Sequence, residues 1–174
     1  MKKFFYMSVL VLMAALTMTS CGSDDDKKDE PSMSKKVSYE ATVTIAQDML
    51  DICDVTITYK DSDAKTVTEA VTSTTWNKKV DVKKLPAIVG VKCNFKMKNG
   101  IQLTKEKYDL VASVNHSVII DGAKKGYDQP FFFTGSYGVQ AEKVAEMVSK
   151  RTGKIYGYTI SANGAVNETE NIEF

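Results

Sequence analysis

From position 53 the chain alternates: Cys53, Val55, Ile57 and Tyr59 are apolar or aromatic, and the residues between them, Asp54, Thr56 and Thr58, are polar, as is Lys60 after them. A period of two puts one set of side chains on each side of an extended strand, so this stretch can bury one face and wet the other. The pattern recurs. Trp76, Val80 and Val82 oppose Asn77, Lys79 and Asp81, and Val91, Cys93, Phe95 and Met97 oppose Lys92, Asn94, Lys96 and Lys98. Asp61, Ser62 and Asp63, and later Asn99 and Gly100, supply turn chemistry where two of these runs end. Val37 to Ile45, Lys65 to Ser73, Tyr108 to Val114 and Ser117 to Ile120 read as further short strands. Many short strands separated by turns predict a mainly β domain, an antiparallel β-sandwich.

One segment breaks the period. Val139 to Arg151 places Ala141, Val144, Val148 and Arg151 at helical spacing, sets Glu146 four residues before Lys150, and ends in basic residues followed by Gly153. These features predict one amphipathic helix near the C-terminus. After it, Tyr156, Tyr158 and Ile160 alternate with Gly157 and Thr159, and Asn163, Gly164 predicts a type I′ hairpin whose last strand buries Ile172 and Phe174.

The N-terminus follows different rules. Lys2 and Lys3 precede an apolar run from Phe4 to Leu16, and small polar residues follow up to Cys21, the three parts of an export signal. The run is shorter than the ~20 residues a spanning helix needs, so residues 1–20 are read as cleaved. Met18, Thr19, Ser20 and Cys21 resemble the lipobox of bacterial lipoproteins, with Met18 where leucine is most common. The resemblance implies cleavage before Cys21 and acylation of it, and an anchor of more than one chain holds stably in a membrane. Ser23, Asp24, Asp25 and Asp26 resemble the acidic export tag of surface lipoproteins of the Bacteroidota, which implies an outer-membrane, surface-exposed address. Residues 21–36, almost without apolar side chains, read as a disordered acidic tether. Residues 37–174 then form a single domain with one core.

Within that domain the strand from Trp76, the Leu85, Pro86 loop and the strand from Val91 to Met97 resemble consecutive strands of immunoglobulin-like or fibronectin-type sandwiches. That resemblance implies a fold and no activity. With 23 Lys and Arg against 22 Asp and Glu, the chain carries a formal net charge of only +1, too little to draw it to nucleic acid.

Few residues offer chemistry. Cys53 and Cys93 fall on inward faces of two strands in an oxidising compartment; a bridge between the sheets and two buried free thiols are both open from sequence. Neither lies in a C-x-x-C pair, and His116 is the only histidine, so no zinc site and no cofactor is expected. Asn115, His116 and Ser117 read as an exposed turn between two apolar runs, away from any nucleophile-elbow pattern. The acids Asp48, Asp51 and Asp54, and the pair Asp61 and Asp63, lack the spacing of a calcium loop. The chain is therefore expected to act without catalysis.

Two surfaces are candidates for binding. Gly126 to Gly138 gathers Tyr127, Phe131, Phe132, Phe133 and Tyr137, of which Tyr127, Phe132 and Tyr137 are the expected contact residues for a glycan or an envelope protein. Trp76 shares the parity of Val80 and Val82 and is expected in the core. Lys79, Lys83, Lys92, Lys96 and Lys98 form a lysine ladder on two strands expected to be neighbours, which either solvates a sheet or holds an acidic polysaccharide. The expected function is a lipid-anchored, surface-exposed binding or adhesion module, with an accessory glycan-binding protein as the alternative and a small envelope hydrolase as the contrasting class.

Overall fold

In a computed structural model of the chain, residues 35–125, 131–134 and 137–174 are described, and all of them lie in one compact unit, Met33–Phe174. The leader, Cys21, the acidic stretch and Tyr127 lie outside the described residues.

The chain runs β1 (Val37–Ile45), α1 (Gln47–Ile52), β2 (Cys53–Lys60), β3 (Thr66–Val71), β4 (Thr75–Val82), β5 (Ala87–Met97) and β6 (Lys107–Tyr108). It continues through β7 (Ala112–Ile120), β8 (Ala123–Lys125), β9 (Phe131–Thr134), β10 (Val139–Gln140), α2 (Ala141–Arg151), β11 (Lys154–Ile160) and β12 (Val166–Thr169). All described strand pairs are antiparallel. One sheet has the order β4-β1-β7, with β8 and β9 both on the far edge of β7. The other has the order β12-β11-β5-β2-β3, and β6 and β10 form a small separate ladder. The predicted mainly β sandwich is therefore the observed class.

The alternation explains the layers. In β4, Trp76, Val80 and Val82 are buried while Thr75, Asn77, Lys79 and Asp81 are exposed, and in β5, Val89, Val91, Cys93 and Phe95 point into the same core. The sheets meet across ring contacts: Tyr158 of β11 stacks on His116 of β7 with ring centroids 4.7 Å apart. Along one seam, Trp76 of β4 lies 5.8 Å from the Tyr59 ring of β2.

Several elements differ from the sequence reading, each for a local reason. Tyr108 to Val114 is not one strand; Tyr108 belongs to β6, and β7 begins at Ala112 and runs unbroken through His116 to Ile120. There are two described helices, not one: α1 buries Met49, Leu50 and Ile52, but six residues are too few to display a helical period. Helix α2 starts two residues later than expected because Val139 and Gln140 pair with β6, and it buries Val144 and Val148 as the spacing required. The expected Glu146 to Lys150 pair forms at 2.5 Å. The turn at Asn163, Gly164 is not type I′, because only Gly164 has positive φ (86°). Ser161 N donates to Ala165 O at 2.9 Å around a three-residue loop, the arrangement of a type I turn closed by a glycine bulge. The true two-residue turn is Asp121, Gly122, with φ of 51° and 81°, joining Ile120 to its partner Ala123.

The C-terminal segment also departs from expectation. β12 stops at Thr169, and Ile172, 6% exposed, packs on the outer face of the second sheet instead of extending a strand. Its seat is made by two glycines in register, Gly90 of β5 and Gly157 of β11. A Cβ on Gly90 would lie 2.8 Å from Gly157 Cα, and one on Gly157 would lie 2.9 Å from Gly90 Cα, with the Ile172 side chain closer still. Only glycine fits at either position.

Candidate functional site

The sequence-expected residues do not gather into one site. His116 is not in an exposed turn; it lies mid-strand and is 3% exposed. Tyr39 Oη is 3.3 Å from its Nδ1, and Tyr158 donates to its main-chain oxygen at 3.3 Å. Burial pushes the His116 imidazole down to about 4, so it is neutral across the physiological range. Burial also pushes Tyr39 well above its usual value and Tyr156 up to about 12. This is a neutral aromatic core cluster.

The two cysteines do not bridge the sheets, because they lie on adjacent strands of one sheet. Cys53 sits opposite Met97 and Cys93 opposite Ile57, four residues apart along β5. At ~3.3 Å per residue that offset is roughly 13 Å, beyond the ~7 Å a disulfide allows. Both are buried free thiols, with burial pushing them up to about 11 and about 12.

The lysine ladder is dispersed for a similar reason: β4 and β5, consecutive in sequence, belong to different sheets. Lys79 pairs with Glu40 at 2.8 Å and Lys83 with Asp63 at 2.6 Å, while Lys98 Nζ donates to Leu50 O of α1 at 2.7 Å. The acids are likewise structural. Asp48 holds Lys105 and accepts from Asp109 N at 2.8 Å, and Asp61 Oδ1 accepts from Asp63 N and Lys65 N to close the β2–β3 turn. Among the described residues no group of three or more His, Cys, Asp or Glu side chains is placed to hold a metal ion.

Of the aromatic segment, Phe132 is placed by its backbone in β9, opposite Ser113 of β7. Tyr137 is 77% exposed, next to Gly138, whose N–H donates to Asp109 Oδ1 at 2.9 Å. That bond fixes the backbone beside an exposed ring.

A polar cluster that the sequence did not announce lies on the seam between β3 and β4. Glu69 accepts from Lys78 at 2.5 Å, Tyr59 at 2.7 Å and the Trp76 indole at 2.8 Å, and Lys78 Nζ sits 4.7 Å from the Tyr59 ring centroid. The bonds from Lys78 and Tyr59 hold the Glu69 carboxyl down to about 2, and the same carboxylate raises Lys78. Both groups are locked in their charged forms, so the cluster ties the sheet edges together and is unsuited to proton transfer at neutral pH.

A cleft of about 740 Å³ opens at one end of the sandwich, a size suited to a small ligand or a short chain segment. It is walled by Val80 and Val82 at the end of β4, Pro86 in the β4–β5 loop, Val89 of β5 and Ile172 of the C-terminal segment. Ile88 lies at its lip, 48% exposed, one of only two large apolar side chains so exposed among the described residues. Sequence reading missed the cleft because its walls come from three separate stretches, 60–64, 80–89 and 171–173, that only the sandwich topology brings together. The one local signal was Ile88, out of phase with the buried parity of β5.

No protein-family model matches the chain, and no curated protein sequence matches it.

Proposed function

We propose that this protein is a lipid-anchored envelope protein, carried on acylated Cys21 and displayed at the cell surface, whose domain binds a partner without catalysis. The observation that supports a binding role is the cleft with apolar walls and Ile88 at its lip, a concave apolar site rimmed by polar groups. His116 and Cys93 are buried in neutral form and Glu69 is paired in charged form, which at these groups favours binding over turnover. A second reading, a glycan receptor, is favoured by Tyr137, the other highly exposed large ring or aliphatic side chain among the described residues.

One titration separates these readings. The isotope-labelled protein is titrated with solubilised outer-membrane extract and, separately, with host and microbial glycans, while its amide resonances are followed. Shifts at Val80, Ile88 and Ile172 support the cleft; shifts at Tyr137 alone support the glycan reading; no shifts with either overturn both. The anchor is tested by labelled palmitate, which should enter the wild-type chain and be absent from Cys21→Ala.

A further inference from the structure

The cleft contains an open strand edge. β11 pairs with β5 as far as Ala87, opposite Ile160, whereas β2 pairs with β5 only from Met97 to Val91, opposite Tyr59. β2 itself runs to Lys60, which falls beside Gly90, so Ala87–Val89 has a strand neighbour on one side only, among the described residues. The direction of its main-chain groups follows from the ladder. Cys93 O accepts from Gly153 N and Phe95 N donates to Thr152 Oγ1, so odd-numbered residues of β5 face β11. Lys98 N donates to Ile52 O, so even-numbered residues face β2. By that alternation the N–H and C=O of Ile88 aim at the slot that β2 vacates when it turns at Asp61.

We propose that the cleft binds an extended peptide segment of an envelope protein, which adds as a strand beside Ala87–Val89 in line with β2. This rests on the reading of the cleft as a binding site. An open edge is a template for another chain, and strand addition takes affinity from the main chain and selectivity from pockets for alternate side chains. The walls supply those pockets: Val80 and Val82 lie toward the interior and Ile172 toward the outer face. The rim carries Lys60, Lys83 and Lys84 against Asp61, Asp63 and Glu173, a balance that suits a neutral main chain better than an acidic polysaccharide or an anionic lipid.

The test uses the full chain in detergent and a fluorescent library of capped heptapeptides with valine, isoleucine, leucine or phenylalanine alternating with threonine. The best binder is resynthesised with N-methyl groups on one set of alternate amides, then on the other. Pairing on a single edge predicts that one set weakens binding at least about tenfold and the other leaves it unchanged. Ile88→Pro, which removes an N–H that does not serve β11, should weaken binding by a similar factor, and Ile88→Ala should weaken it less. Equal effects of the two methylations, or no peptide bound from the library, would overturn the proposal. Resonance shifts at the cleft with membrane extract alongside either result would leave the binding role standing and reject the strand.

Discussion

Lowering the pH from 7 to 5 should destabilise this domain through one residue. His116 is the only histidine in the chain, and its ring is enclosed by Tyr39 from β1 and by Tyr156 and Tyr158 from β11. Burial takes its imidazole from 6.5 to about 4, so the proton prefers the unfolded chain. The sign follows: the contribution is complete above the unfolded value, declines as pH falls below 6.5, and levels off near the folded value. Integrating the linkage relation over those two values gives a loss of about 2 kcal/mol between pH 7 and pH 5, a large part of a typical domain's stability. Asp48, Asp63, Glu69 and Glu146 are all held below their ordinary values by lysines, so their contributions are lost at lower pH and leave this window to the histidine. Urea unfolding followed by the fluorescence of Trp76, the single tryptophan, at pH 7, 6 and 5 measures the effect. His116→Gln should flatten the dependence whatever its own stability. A wild-type midpoint that does not move, or the same slope in His116→Gln, would refute the reasoning.

Gly157→Ala should destabilise by about 1–3 kcal/mol, because the added carbon meets Gly90 Cα at 2.9 Å and displaces Ile172; thermal unfolding reads it, and an unchanged midpoint would contradict the shared seat. Cys53 and Cys93 should resist a thiol reagent in the folded protein and both react after unfolding, with equal mobility on reducing and non-reducing gels. Glu69→Gln should cost about 1 kcal/mol, a value set by the screening of a carboxylate about a third exposed, and should alter Trp76 emission by weakening the bond to the indole.

The strands were legible where burial is one-sided. β1, β2 and β4 lie within a residue of their expected bounds, since alternation is what an antiparallel sheet with one wet face imposes on sequence. His116 was misplaced because a polar triplet, Asn115, His116 and Ser117, resembles a turn, whereas in β7 the histidine and Ser117 are buried and only Asn115 faces water. Cys53 and Cys93 share an inward parity, but parity says nothing of register, and four residues along β5 decide against a bridge. Sheet membership was hidden for the same reason: the lysines of β4 and β5 are near in sequence and divided between layers. The cleft depends on where β2 ends relative to β5 and on where the last five residues fold back, and neither is a local property.

The binding role is tested most directly in intact cells by placing a photo-crosslinking phenylalanine derivative at position 88, with position 143 on the exposed face of α2 as control. A discrete adduct from position 88, absent from position 143 and lost when Val82→Glu charges the cleft wall, is the predicted result. Equal crosslinking from both positions, or none from position 88, would contradict the account.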